Sequence, residues 1–319
     1  MENLNLKIVF FGNTKFSLIG AQTIHEKLGL SQIVTLPDRP DKRGNLKPNP
    51  LKTFAIENQI PYLLTDKITD EIIEKVKSSQ PDFLIVEDYG LILPDALLKL
   101  PKYASLNIHH SLLPKFRGTS PAPAAILSGN QTTGVSVIEM NERVDAGDIL
   151  AQKKYEIKPT DTTESLLTIL NKLGGKIIIP VIKNFENAKS KAIKQIESEA
   201  TYSKRMSKSD GQIDIDNPPS KEILDRMIRA YHPWPTVWTV VRIKNPVRQT
   251  QGEKELRIKL LPYAICHPEF ISGSSKIPDQ VRNDNEFFCI QVEGGRPMSV
   301  KDFLNGYPAL KEPLKSINL

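Results

Sequence analysis

The feature that most constrains this chain is an apolar strand that runs into a glycine turn and then a helix. Lys7-Ile8-Val9-Phe10-Phe11 is a short apolar run closed by Gly12-Asn13-Thr14. Apolar residues then recur at Leu18, Ile19, Ala21, Ile24 and Leu28, the spacing of one helix face. Gln32-Ile33-Val34-Thr35 reads as the next strand. The alternation continues, with a helix over Lys52 to Asn58, a strand at Pro61 to Leu64 and a helix over Thr69 to Ser78. Asp82 to Val86 and Ala104 to His109 read as central strands. Strands that alternate with helices imply a parallel sheet covered on both faces, an α/β doubly wound unit. Further strands are expected at Val135 to Met140 and Ile149 to Ile157, and a long helix from Thr163 to about Glu186.

The pattern changes near residue 187. Asn187 to Lys204 is rich in Lys, Ser and Glu with few periodic apolar positions, and reads as a basic linker over 188–207. Beyond it comes one amphipathic helix, Pro218 to Tyr231. Short alternating segments follow at Val237 to Ile243, Leu256 to Leu261 and Phe287 to Val292, as expected of a small β-barrel. The stretch 266–285 is polar and irregular and reads as an inserted surface loop. The expected division is therefore a catalytic domain over 1–187, the linker, and a β-rich domain over 208–319.

With 39% hydrophobic and 25% charged residues, the composition argues against a disordered chain. No apolar run approaches about 18 residues, so no membrane partner is expected. The N-terminus lacks the basic region of a signal peptide. Cys266 and Cys289 are too few for a disulfide framework or a zinc site, which suits a reducing cytoplasm. The net charge of +6 permits a polyanionic partner without requiring one. Nothing marks an oligomerisation seam, so a monomer is expected.

The first turn carries one glycine, Gly12, where a dinucleotide fingerprint needs three, so nicotinamide chemistry is disfavoured. Two other clusters suggest chemistry. Asn107 and His109 stand two residues apart on a strand and so share a face. At the C-terminal end of a parallel strand, that face opens on the usual ligand crevice. An amide and an imidazole there can polarise a carbonyl and stabilise an oxyanion. The turn Asp145-Ala146-Gly147-Asp148 supplies a carboxylate that can orient the imidazole or take a proton. Either cluster alone is also what a satisfied strand end or an Asp-rich turn would show.

Taken in order, these segments resemble the folate-dependent formyltransferase family. Asn107, His109, Ser111-Leu112-Leu113-Pro114 and Asp145 to Asp148 match its signature. Pro37-Asp38-Arg39-Pro40, Tyr89-Gly90-Leu91-Ile92-Leu93-Pro94 and Lys115-Phe116-Arg117-Gly118 lie around it in the family's order. Arg229 to Pro235 and Pro297 to Leu304 resemble the C-terminal domain of the family's tRNA-acting members. The resemblance implies a Rossmann-like formyltransferase domain followed by an OB-like barrel that binds tRNA. It implies 10-formyltetrahydrofolate as formyl donor, initiator methionyl-tRNA as acceptor, and no metal. Asn107, His109 and Asp145 would be catalytic. Tyr89, Gly90, Leu91, Ser111, Leu112, Leu113 and Pro114 would bind the folate. Arg39, Lys42, Arg43 and Lys47, on one basic loop, would approach the acceptor end. Arg242 and Lys244 would extend that surface, in a segment, Arg242 to Lys259, with six basic and two acidic residues.

The chain departs from the family at two points. Glu87-Asp88 stands where the family commonly has small or apolar residues, and buried unpaired carboxylates are costly. His110 stands where the family often has a small residue, and is expected to be a solvated neighbour. Trp234 and Trp238 are expected to be core anchors. The competing readings are a formyltransferase acting on a small amine, which would not need the second domain, and a non-catalytic RNA-binding protein, which would not need Asn107, His109 and Asp145.

Overall fold

A computed structural model describes residues 6–41, 44–244, 253–266, 288–311 and 314. The chain divides into two compact units. One comprises Met1–Ala122, Gln131–Ile157 and Leu166–Lys204, the other Pro123–Asn130, Lys158–Ser165 and Arg205–Leu319.

In the first unit the elements run β1 (Ile8–Gly12), α1 (Ser17–Leu28), β2 (Gln32–Thr35), β3 (Arg39–Pro40), β4 (Leu46–Lys47), α2 (Pro50–Glu57), β5 (Tyr62–Leu64), α3 (Asp70–Ser78), β6 (Phe83–Glu87), α4 (Asp95–Leu98), β7 (Ala104–His109) and β8 (Arg117–Gly118). α5 (Pro121–Leu127) belongs mostly to the second unit, and the first resumes with β9 (Thr132–Glu139), β10 (Ile149–Glu156), α6 (Thr163–Lys183, from Leu166 on), α7 (Phe185–Ser190) and β11 (Tyr202–Ser203). Seven strands form one sheet in the order β10-β9-β7-β6-β1-β2-β5. Pairing is parallel from β5 to β7, and antiparallel where β9 and β10 extend the edge.

β1 and β6 are buried along their whole length. Burial on both faces explains why their sequences are continuous apolar runs rather than alternating ones. The chain winds outward from β1 through β2 to β5, then returns to the other side of β1 as β6 and β7. The β1/β6 boundary is thus the topological switch point, where the carboxyl ends of neighbouring strands leave a crevice. Gly12 and Glu87 face each other across it. A Cβ at Gly12 would come within 2.7 Å of the Phe10 ring and 2.9 Å of Leu51, so the turn there requires glycine.

α6 is long and apolar enough by composition to cross a membrane, contrary to the expectation that no such segment exists. It instead packs Ile178, Val181 and Ile182 into the core of the first unit. Its Gly174 faces Ile108 of β7 so closely that a Cβ would stand 2.4 Å from that side chain. The 188–207 stretch is also not a linker as far as Lys204. It lies on the first unit through polar and backbone contacts, which leave no apolar period for a sequence reading to detect.

In the second unit, α8 (Lys221–Ala230) packs Leu224 and Ile228 against an antiparallel sheet of β12 (Val237–Lys244), β13 (Glu253–Pro262) and β14 (Phe288–Val292), followed by α9 (Val300–Gly306). Among the described residues this sheet has three strands. The proposed insertion 266–285 lies, Cys266 aside, outside the described residues. Cys266 and Cys289 are joined as a disulfide, a pairing the sequence reading did not expect. Trp238 is buried, and its indole N–H donates to the Lys208 carbonyl. Trp234 is half exposed and does not anchor the core.

Candidate active site

Asn107, His109 and Asp145 converge at the carboxyl end of β7. The first two stand on that strand. Asp145 arrives from the turn between β9 and β10, with the non-glycine left-handed φ of +52°. Asn107 Nδ2 donates to Asp145 Oδ1 at 3.0 Å, and the Gly118 backbone N–H donates to Asp145 Oδ2 at 2.8 Å. His109 Nδ1 lies 3.6 Å from Asp145 Oδ2. Its Nε2 lies 2.9 Å from the Phe116 carbonyl, which can only accept, so Nε2 carries the hydrogen. Asp145 therefore faces the imidazole at a separation longer than a hydrogen bond. The ring's closest partner, however, is a carbonyl that no sequence motif announced. Phe116 itself has a left-handed φ of +58°, which aims that carbonyl.

The folate-binding candidates fall into two groups. Tyr89, Ser111 and Leu113 are buried, and they shape the loops. Tyr89 packs edge-on against Phe11 at 5.3 Å. The Ser111 hydroxyl donates to the Lys115 carbonyl at 2.6 Å. Ser136 and Gln152 tie the backbone at Ser111 and Leu113 to β9 and β10. Gly90, Leu91, Leu112 and Pro114 keep accessible surface. Gly90 has a φ of +87°, which favours glycine there.

Arg39 and Lys47 are exposed and paired on the β3–β4 hairpin. Lys42 and Arg43 lie outside the described residues. Arg242 is exposed beside Glu255 at 3.5 Å, and the side chain of Lys244 lies outside the described residues.

The two departures from the family form one buried cluster. His110 is not solvated, being 2% exposed. Its Nε2 stands 3.4 Å from Glu87 Oε1 and its Nδ1 3.3 Å from Asp88 Oδ1. The Glu87 carboxyl is fully buried and fills a slot opened by Gly20 on α1, where a Cβ would stand 1.8 Å from Oε2. Asp88, at a left-handed φ of +48°, reaches Thr14 across the switch point at 3.4 Å. Burial pushes Glu87 up to about 8, against the opposing pull of His110. Burial alone would lower His110, but the Asp88 charge and the hydrogen bonds of both carboxyls outweigh it and hold it up at about 10. Burial thus favours the protonated form of Glu87, while the carboxyl neighbours favour the charged form of His110. In sequence Glu87-Asp88 and His110 read as two separate departures, and only the sheet order brings them together. Among the described residues, no three His, Cys, Asp or Glu side chains gather as they would around a metal ion.

The formyl transferase family profile matches residues 6–182. The methionyl-tRNA formyltransferase of Marinobacter nauticus is 32% identical over 329 aligned residues, covering 98% of this chain and 100% of that protein. Among solved structures, the methionyl-tRNA formyltransferase from Clostridium thermocellum superposes with a TM-score of 0.54 at 18% identity, over 92% of this chain and 99% of that one. HypX from Aquifex aeolicus, solved in complex with tetrahydrofolic acid, gives a TM-score of 0.55 at 18% identity, over 81% of this chain and 37% of that one. With a site built from Asn107, His109 and Asp145 on a sheet of this order, and a relative of this similarity along nearly its whole length, the chain belongs to the methionyl-tRNA formyltransferase family.

Proposed function

We propose that the protein transfers the formyl group of 10-formyltetrahydrofolate to the α-amine of methionine on initiator tRNA, supporting translation initiation in the cytoplasm. The observation that carries this reading is the convergence of Asn107, His109 and Asp145 at one strand end, in a chain that aligns end to end with relatives of that name. The residues fit such a donor. The exposed Gly90, the half-buried Leu91 and Leu112 and the partly exposed Asp88 carboxylate would offer it apolar and polar contacts.

The folate supplies an activated formyl carbon; the rest is the work of side chains. An α-amine has an ordinary pKa of about 7.7–8.0, so a useful fraction is neutral near pH 7. Asn107 uses one amide hydrogen on Asp145 and keeps the other for an oxygen that gains charge as the amine attacks. His109 Nε2–H is a second donor; once it exchanges the Phe116 carbonyl for substrate, it gives its hydrogen to the folate nitrogen as the formyl C–N bond breaks, and its Nδ1 takes a replacement from Asp145. Each Asp145 oxygen retains acceptor capacity beyond the Asn107 and Gly118 bonds, enough to receive a hydrogen from the amine. Removal of one such donor costs about 10²–10³ in rate.

In this reading the second unit is the tRNA-recruiting domain, an OB-like barrel of which β12, β13 and β14 form part. The exposed Arg242, Arg39 and Lys47 would meet acceptor-stem phosphates. A formyl-transfer assay with 10-formyltetrahydrofolate tests the proposal by offering methionyl initiator tRNA, methionyl elongator tRNA, free methionine and a small sugar amine. Selective formylation of the initiator is the expected result. Equal or better turnover of the sugar amine would overturn the assignment of substrate.

A further inference from the structure

The segment that follows α7 has no hydrophobic pattern, yet it touches both loops of the site. Ile193 and Ile149 exchange backbone hydrogen bonds at 2.9 Å, which seats the segment beside the start of β10. Further on, β11 pairs in parallel with β8. Thr201 accepts from the Phe116 N–H through its hydroxyl and from the Arg117 N–H through its carbonyl. Between these anchor points lies Gln195, half-buried on a mostly exposed stretch.

The Gln195 carboxamide has three partners. Its Nε2 donates to the Asp145 carbonyl at 2.8 Å and to the Gly147 carbonyl at 2.7 Å. Its Oε1 accepts from Arg117 Nε at 3.0 Å. The orientation of the amide is unambiguous, because two carbonyls can only accept and a guanidinium can only donate. Arg117 is 1% exposed, and Glu197 holds it through Nη1 at 3.1 Å to both carboxylate oxygens. Arg143, from the other site loop, binds the same carboxylate. A chain of polar contacts thus runs from Arg143 through Glu197, Arg117 and Gln195 into the turn that carries Asp145.

That turn needs support. Asp145 sits in the left-handed region, which costs a non-glycine residue free energy unless its surroundings hold it there. Gly147 is pressed against the Glu139 carbonyl, with room for no Cβ. Both hydrogens on one amide nitrogen clamp the two carbonyls that bracket Ala146, which fixes how the Asp145 side chain leaves the backbone. The clamp touches no reacting atom.

We infer that Gln195 is a positioning residue for the transfer reaction, oriented by Arg117, which holds the Asp145 turn so that its carboxylate meets Asn107 and His109. The inference rests on the reading above that Asp145 is catalytic. Gln195→Leu removes both donors at similar volume. Gln195→Glu keeps an acceptor for Arg117 but sets a carboxylate oxygen against two carbonyls. A displacement of about 1 Å at a reacting group can cost about 10²-fold, so both variants should lose on the order of 10-fold to 10²-fold in kcat.

The test is steady-state formylation of methionyl-tRNA by the full chain, with thermal melts and a folate-binding titration beside it. The variants are Gln195→Leu, Gln195→Glu, Asp145→Ala and the Gln195→Leu/Asp145→Ala double. The expected result is a loss in kcat for either Gln195 variant, with folate binding and KM for the donor within about twofold, and a double variant no slower than Asp145→Ala alone. That non-additivity is the signature of a residue acting through Asp145. Losses that multiply in the double variant would overturn the inference and show a general structural role. Normal kcat in Gln195→Leu beside a crippled Asp145→Ala would overturn it while leaving the catalytic reading intact. Normal kcat in Asp145→Ala would sink the catalytic reading, and this inference with it. If Gln195→Leu fails to fold, Gln195→Glu, which retains the Arg117 contact, carries the same comparisons.

Discussion

Replacing His110 by leucine should destabilise the protein at neutral pH, and replacing its two carboxyl neighbours as well should restore it. His110 is 2% exposed and faces one carboxyl through each ring nitrogen. Without the imidazolium, Glu87 loses its nearest hydrogen-bonding partner, since Oε2 has none, and Asp88 loses its counter-charge. Removing one partner of a buried charged pair costs about 3–5 kcal/mol. The lower end applies here, because burial favours the neutral form of Glu87 and water reaches the Asp88 side chain, which is 25% exposed. A loss of about 3 kcal/mol corresponds to a fall of about 6–12 °C in Tm for a unit of this size. The triple variant Glu87→Met, Asp88→Asn, His110→Leu has no charge left to bury, and asparagine tolerates the left-handed backbone at 88. Apolar replacement of a whole buried charge cluster is commonly neutral or stabilising. Wild-type stability should also decline as pH rises. Glu87 is raised, so the folded state holds a proton that the unfolded chain releases between pH 4.5 and about 8. His110 is raised as well, so the folded state holds a second from pH 6.5 to about 10. The stability these protons contribute is present at low pH and lost as pH rises through the folded values. Each retained proton is worth about 1.4 kcal/mol per pH unit, so on the order of 4 kcal/mol disappears between pH 7 and pH 9. Calorimetric melts of the three proteins from pH 6 to pH 10 provide the assay. A wild-type Tm that stays flat from pH 7 to pH 9, or a triple variant as unstable as His110→Leu, would refute the reasoning.

Asn107→Ala and His109→Ala should each lower single-turnover formylation about 10²–10³-fold with little change in Tm, and near-normal turnover of the His109 variant would remove it from the mechanism. Gly20→Ala should destabilise by about 1–3 kcal/mol, because its Cβ would strike the Glu87 carboxyl, and a Glu87→Val background should absorb most of that loss in urea unfolding; equal losses in both backgrounds would contradict the slot. Arg39→Ala with Lys47→Ala should flatten the salt dependence of KM for methionyl-tRNA while folate binding is unchanged, and an unaltered slope would take the β3–β4 hairpin out of the tRNA surface.

Much of the first unit was legible in the sequence because its signals are local. Continuous apolar runs such as Ile8 to Phe11 suit the centre of a covered sheet, and the 3.6-residue period of α1 names its buried face. Strand alternation put Asn107 and His109 on one face, but the resemblance to a family was what singled them out, and Asp145 with them, as catalytic candidates. The support of those residues could not be read in the same way. Gln195 sits in a stretch whose contacts are polar and backbone-mediated, 50 residues from the carbonyl it holds, so no period or composition marks it. The Phe116 carbonyl is a main-chain group that any residue would supply, and what aims it is a left-handed φ. His110 illustrates the limit most sharply. From its neighbours in sequence it reads as a surface imidazole. Parallel pairing of β6 with β1 on one side and β7 on the other sets Glu87, Asp88 and His110 side by side at the switch point, and Gly20 of α1 opens the slot for the Glu87 carboxyl. Sequence determines which residues carry protons and which strands are buried. Which protons they keep is decided by burial and by the charges brought within about 3.5 Å, and those exist only once the sheet has assembled.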